Sequence, residues 1–119
     1  MSRDDELRIK DYLGYIIEAV VRINRYIENM DADEFLRDEK TQDAVIRNFE
    51  IIDEASRNLE RFHPDFAAVH PEKPWEISDE MRNALAHGYF TVDMEIVWKT
   101  IKNDLPGMAK QVLRLIVAK

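Results

Sequence analysis

The chain has no cysteine, which removes disulfide frameworks, thiolate metal sites and cysteine nucleophiles and agrees with a reducing, cytoplasmic setting. Glycine and proline are scarce, at 3 and 4 residues, and neither a low-complexity tract nor an internal repeat is present. Such a chain is built of long regular elements joined by short connections. No apolar run approaches the length that spans a bilayer, and the opening Met1-Ser2-Arg3-Asp4-Asp5-Glu6 lacks the apolar core of a signal peptide. A soluble, intracellular protein with no membrane partner is expected. Basic charge is short as well: 17 Lys and Arg face 24 Asp and Glu, for a net charge of −7. That balance disfavours strong nonspecific binding of nucleic acid.

What is present favours one compact domain over residues 1–119, since 119 residues at 45% hydrophobic content can bury a core of their own. The charge is unevenly spread. Residues 1–78 hold 11 basic and 19 acidic side chains, whereas residues 79–119 hold 6 basic and 5 acidic, so the C-terminal third leaves room for a local cationic cleft or a basic partner.

The apolar periodicity is helical. From about Asp4 to Asn29, Ile9, Leu13, Ile16, Val20, Ile23 and Ile27 recur at steps of three and four, the spacing of one helix face. Tyr12, Ile17 and Val21 widen the stripe and predict more than one neighbour. A second helix is predicted from about Thr41 to Arg61, burying Val45, Phe49, Ile52, Ser56 and Leu59. Its far face carries Asp43, Arg47, Glu50, Glu54 and Arg57, with Asp43–Arg47 and Asp53–Arg57 as four-residue ion pairs. A solvated charged face is the ordinary meaning of that pattern. Ile46 and Ile51 lie outside both faces and suggest a second contact surface, such as one to another subunit.

Pro64, Pro71 and Pro74 forbid a long helix between His63 and Ile77 and predict a loop with one short turn, anchored by Trp75. His63 and His70 lie there without cysteines or carboxylates at ligand spacing, so no metal is assigned to them. From Val92 onward, Met94, Trp98, Ile101, Leu105, Met108, Val112 and Leu115 alternate steps of four and three straight through Pro106-Gly107. One face therefore survives the proline, as in a helix that kinks or briefly breaks and continues. Lys99, Lys102, Lys110 and Arg114 occupy the other side, where they extend a phosphate-friendly surface or form a solvated one. The predicted class is all-α, an antiparallel four- to five-helix bundle.

Most of the chemistry sits in Arg82-Asn83-Ala84-Leu85-Ala86-His87-Gly88-Tyr89. Ser78 is a good N-cap for a short helix whose first turn holds Asp79 and Glu80, and Gly88 is a natural end. On that helix Met81, Ala84 and Leu85 face one side and Arg82, Asn83, Ala86 and His87 the other. An Arg can hold a phosphate bidentately, and a His titrates near neutral pH and can move the proton of an attacking hydroxyl. That pair can cut a phosphodiester without a metal or cofactor. Arg82 and His87 are nevertheless about 140° apart around the helix, so one helix converges them poorly. A second copy around a two-fold axis, approaching over small Ala86, would bring both residue types to one phosphate. The residues alone leave a plainer reading open, in which Arg82 makes a salt bridge and His87 binds carbonyls at the helix end.

Arg82-Asn83, three intervening residues, then His87-Gly88-Tyr89 resembles the signature of the HEPN superfamily, specifically its HepT-type toxins. The stretch Asp43-Ala44-Val45-Ile46-Arg47-Asn48-Phe49-Glu50-Ile51-Ile52 is similar to the family's second helix. Pro74-Trp75 before the motif and Val97-Trp98 through Leu105-Pro106 after it are similar too. Asp53 departs from the pattern at a place where many relatives are expected to carry glycine, which predicts different local packing of the second helix.

The resemblance implies a homodimeric helical bundle acting as the metal-independent endoribonuclease toxin of a type VII toxin–antitoxin system. Its partners would be RNA as substrate and a minimal nucleotidyltransferase antitoxin of the MntA type. Arg82 and His87 then take the catalytic positions, with Asn83 orienting a phosphate oxygen; the charged helix faces add Arg47, Lys99 and Lys102 as a candidate RNA or partner surface. Tyr89 matches the tyrosine to which the antitoxin transfers AMP from ATP, placing negative charge and bulk beside the catalytic pair. On the rival reading the same surface docks a nucleotidyltransferase or a nucleotide and cuts nothing.

Overall fold

The computed structural model describes residues 2–87 and 92–118. Every element among them is helical: α1 (Arg3–Tyr26), α2 (Ala32–Leu36), α3 (Glu39–Phe62), α4 (Pro64–Ala68), α5 (Asp79–Ala86), α6 (Met94–Asn103) and α7 (Leu105–Val117). Two of these, α2 and α4, are single turns. If α6 and α7 are taken as one interrupted helix, four principal helices remain, in agreement with the bundle expected from sequence.

Two 24-residue helices, α1 and α3, form the spine. Each starts on a side-chain cap: Ser2 Oγ accepts from the Asp5 N–H at 3.1 Å, and Asp38 Oδ1 accepts from the Thr41 N–H at 3.0 Å. The whole predicted stripe of α1, from Ile9 to Ile27, is buried. It packs along α3 on one side and α7 on another, which is why the stripe is broad; Tyr12 and Ile17 belong to it, whereas Val21 is 55% exposed and does not.

On α3 the burial is wider than one stripe. Gln42, Val45, Ile46, Asn48, Phe49, Ile52, Ala55, Ser56 and Leu59 are all buried, because α1, α2, α4 and α5 each pack on this helix. Ile46, 2% exposed, is thus a core residue of the single chain, and Ile51 packs against the core as well. The second contact surface expected at these two isoleucines is corrected accordingly.

The turn between α1 and α3 holds α2, which the periodicity did not reveal. Asp31 and Glu34 close a reciprocal capping box at 2.8 and 3.2 Å. Phe35 drives the turn into the core at 0% exposure, and Gln42 on α3 donates from Nε2 to the Phe35 carbonyl at 2.8 Å.

In the proline-rich stretch Pro64 begins α4, where its missing N–H costs nothing. Trp75 is the expected anchor: it is fully buried and stacks on Phe66 with ring centroids 5.5 Å apart. His63 caps the end of α3 and is buried near Tyr12, and His70 packs on Phe66 at 4.8 Å. Between α6 and α7, Asp104 keeps a right-handed helical backbone; its N–H bonds the Thr100 carbonyl at 2.9 Å and its carbonyl accepts from Met108 at 3.1 Å. The path is therefore a brief break that continues, with Val97, Thr100, Ile101, Leu105, Met108 and Val112 buried across it.

Candidate active site

The motif helix α5 is short, and its position comes from its ends and its inner face. Ser78 Oγ accepts from the Met81 N–H at 3.1 Å, as a cap must, and Asp79 and Glu80 oppose the helix dipole in the first turn. Met81 and Ala84 are buried and Leu85 is half-buried, pinning α5 across α3 and α6. Asn83, Ala86 and His87 are exposed and Arg82 is half-buried, so the polar residues face outward as the helix geometry predicts. His87 is the C-cap, its backbone N–H bonding the Asn83 carbonyl. Gly88 and Tyr89, the expected helix stop and modification site, lie outside the described residues.

Between α3 and α5 runs a groove of about 640 Å³ whose walls carry Arg47, Arg57, Arg61 and Arg82 together with Glu50, Asp53 and Glu54. Positions 47, 50, 54, 57 and 61 are one face of α3 at helical spacing. Arg47 is thereby brought to the same groove as Arg82. Lys99 and Lys102 stand instead on the exposed side of α6, with Lys102 Nζ 4.9 Å above the Trp98 ring. Asn83 and His87 sit at the outer edge of α5, His87 one residue beyond Ala86, the last α5 residue of the groove wall.

Arg82 is surrounded by carboxylates. Its Nε faces Asp53 Oδ1 at 3.6 Å, Nη1 faces Asp79 at 3.7 Å and Nη2 faces Glu76 at 4.0 Å. Arg57 completes the group, its Nε 3.0 Å from Asp53 Oδ2; this is one of the two ion pairs expected on α3. The plainer reading of Arg82 as a salt-bridge residue therefore describes part of what it does here.

The loop leading into α5 is held by a second set of charges. Lys73, in the left-handed region at φ 44, donates from Nζ to Glu60 on α3. Burial pushes Glu60 up, but the hydrogen bonds from Lys73 and from the Glu76 carboxyl outweigh it and hold Glu60 below its usual range. The indole N–H of Trp75 acts on Glu60 in the same direction, although it makes no hydrogen bond of good geometry. Glu76 is raised, first by burial and then by its hydrogen bond to Glu60 and that neighbour's charge. The two carboxyls thus shift each other in opposite directions, and Glu76 Oε2 lies 4.0 Å from Arg82 Nη2. Among the described residues no three His, Asp or Glu side chains converge as a metal site requires.

The sequence names Arg57 as part of a charged face and as the ion-pair partner of Asp53, with no role in the site, and does not single out Arg61. The available signal was the α3 face itself, which carries Arg at both ends; its meaning depends on α5 crossing that face.

The chain is similar to known proteins over most of its length. Residues 16–115 match the family described as Ribonuclease HepT-like. A Thermococcus cleftensis protein named "Probable ribonuclease HepT" is 46% identical over 99 residues, covering 83% of this chain and 87% of the relative. Two Methanocaldococcus jannaschii proteins with RNase names are 37% identical over 108 residues and 36% identical over 112 residues. They cover 91% and 94% of this chain, and 87% and 97% of their own lengths. No solved structure matches the chain. With an all-helical bundle, the Arg82–His87 motif on an exposed face and a match across most of its length, the chain belongs to the HepT-like ribonuclease family of the HEPN superfamily.

Proposed function

We propose that this chain is the endoribonuclease toxin of a type VII toxin–antitoxin pair, cutting RNA without a metal at a site shared between two copies. The observation that carries this reading is the placement of Arg82 and His87 on the outward face of α5, beside an arginine-lined groove, in a HepT-like chain. His87 takes the proton of an RNA 2′-hydroxyl as that oxygen attacks the adjacent phosphorus. A P–O bond forms, the bond to the 5′-oxygen breaks, and the proton is returned to that leaving oxygen. Arg82 stabilises the charge that builds on the phosphoryl oxygens, and Asn83 orients one of them. DNA lacks the attacking hydroxyl and resists. Such chemistry works in the cytoplasm, where the substrate is.

Arg82 and His87 are about 140° apart around one helix, so the pair that meets a phosphate comes from two chains. Control comes from an MntA-type nucleotidyltransferase that transfers AMP from ATP to Tyr89, two residues after His87. The added phosphate repels RNA and the adenosine fills the approach to the site. A second reading has its own support: the net charge of −7 and the carboxylates around Arg82 suit a module that docks a nucleotidyltransferase or a nucleotide without cleavage.

Incubation of total RNA with unmodified protein in excess EDTA separates the two. The nuclease reading expects cleavage, reduced about 10²-fold or more in Arg82→Ala and His87→Ala with the helical fold retained. Intact RNA in the presence of folded wild-type protein gives precedence to the docking reading.

A further inference from the structure

Among the described residues, two buried atoms in the groove have no hydrogen-bond partner, Asp53 Oδ1 and Arg82 Nε. They face each other at 3.6 Å. A polar atom left unpaired in the interior is costly, and each of these is the other's partner for a small closure of the gap between α3 and α5. The other oxygen of the same carboxylate, Oδ2, already holds Arg57 at 3.0 Å. One half-buried carboxylate on α3, 16% exposed, therefore bridges two arginines from two different helices.

The atoms engaged matter. Both contacts to Asp53 are made at Nε, so Asp53 itself does not engage the terminal Nη groups of either arginine. The Nη atoms of Arg82 stand at similar distances from other carboxylates, 3.7 Å from Asp79 and 4.0 Å from Glu76, and Asp79 is 96% exposed and so is a partner that an incoming phosphate can displace. A phosphate offers two non-bridging oxygens and is best recognised by guanidinium forks. Two guanidiniums side by side would repel each other and drift, most of all Arg57, whose side chain is 67% exposed. A carboxylate between them compensates the repulsion and fixes their separation before the ligand arrives.

From this geometry we infer that Asp53 is a positioning residue that pairs Arg57 with Arg82, and that Arg57 is a second phosphate-binding residue of the site. The inference rests on the reading of Arg82 as the residue that meets the cleaved phosphate, and adds to it a partner arginine and the carboxylate that sets both. Arg61 and Arg47 line the same groove without a contact to Asp53 and are not part of the pair.

The test is steady-state cleavage of a single-stranded RNA oligonucleotide by wild type, Asp53→Asn, Asp53→Glu, Arg57→Ala and Arg82→Ala, with thermal melts of each. Asp53→Asn is expected to lower kcat about tenfold with little change in KM, since it leaves the arginines present but unpaired, and Asp53→Glu to recover part of that loss. Arg57→Ala is expected to lower kcat/KM about tenfold and to reduce the slope of log KM against log salt by about one, as loss of one phosphate contact does. A residue that merely supports the fold would lower the melting temperature and the active fraction without moving that slope. Because Arg57 is largely exposed, its substitution tests the pair even if Asp53 variants fold poorly. Wild-type cleavage by Arg57→Ala with an unchanged salt slope, while Arg82→Ala is inactive, overturns the inference and leaves the nuclease reading standing. If Arg82→Ala itself cleaves like wild type, that reading has failed first and the pair falls with it.

Discussion

Glu76 is the residue at which folding and the site are most directly coupled. Its carboxyl is raised first by burial and then by Glu60, and its Oε2 lies 4.0 Å from Arg82. The two glutamates act on stability with opposite signs. Glu60 is lowered in the folded chain, so its contribution is present above the ordinary value of 4.5 and is lost as pH falls through its folded value. Glu76 is raised, so its protonated form is the one that folding favours. Its contribution is present below 4.5 and is lost as pH rises from there through the folded value. Glu76→Gln keeps the shape and a hydrogen-bonding amide while removing the proton that must leave. Melting temperature followed from acidic to neutral pH should therefore decline above 4.5 in wild type relative to Glu76→Gln. Parallel curves for the two proteins would show that burial of Glu76 does not carry the predicted linkage.

At the scale of elements, α5 has only 8 residues, too few to be stable without help. Its help is Met81 and Ala84 on the inside and the Ser78 cap at the start. Ser78→Ala should cost about 1 kcal/mol, which for a domain of this size lowers the melting temperature by several degrees in a thermal melt; an unchanged transition would show that α5 is held by packing alone. The cap was legible in the sequence because Ser78 directly precedes Asp79 and Glu80. The long helices were legible for a similar reason, their stripes running unbroken from Ile9 to Ile27 and from Met94 to Leu115. Two features were not. The turn α2 has a capping box at Asp31 and Glu34 but only Phe35 buried in it, so there is no period to read. Ile46 looked superfluous because a stripe assumes one neighbour, whereas α3 has four. The candidate site divides in the same way. Arg82 and His87 could be named from their spacing, but Arg57 acquires a role only because α5 crosses α3 at Asp53, and that crossing is set by tertiary packing.

The whole molecule measures 47 × 28 × 20 Å, with a radius of gyration of 14.7 Å, somewhat above the ~13.5 Å of a more spherical chain of this length. It is a slab with α5 and its arginine groove at the surface, in a body whose net charge is −7. Long-range attraction for RNA is therefore weak, and the local arrangement must supply what affinity there is. A single copy presents Arg82 beside the groove and His87 about 140° around the same helix. If two copies complete each other, Arg82→Ala and His87→Ala proteins are each inactive yet complementary. A mixed dimer holds one site with an intact Arg from one chain and an intact His from the other, and one site with neither. Equal mixing after dissociation gives mixed dimers in about half of the population, each with one of two sites working, so recovery should approach about a quarter of wild-type activity. Chains that use their own Arg and His recover nothing on mixing, and neither do sites that need all four residues. Recovery of activity from two inactive proteins thus has one explanation, a site built across the two-fold axis with Arg82 and His87 contributed by different chains.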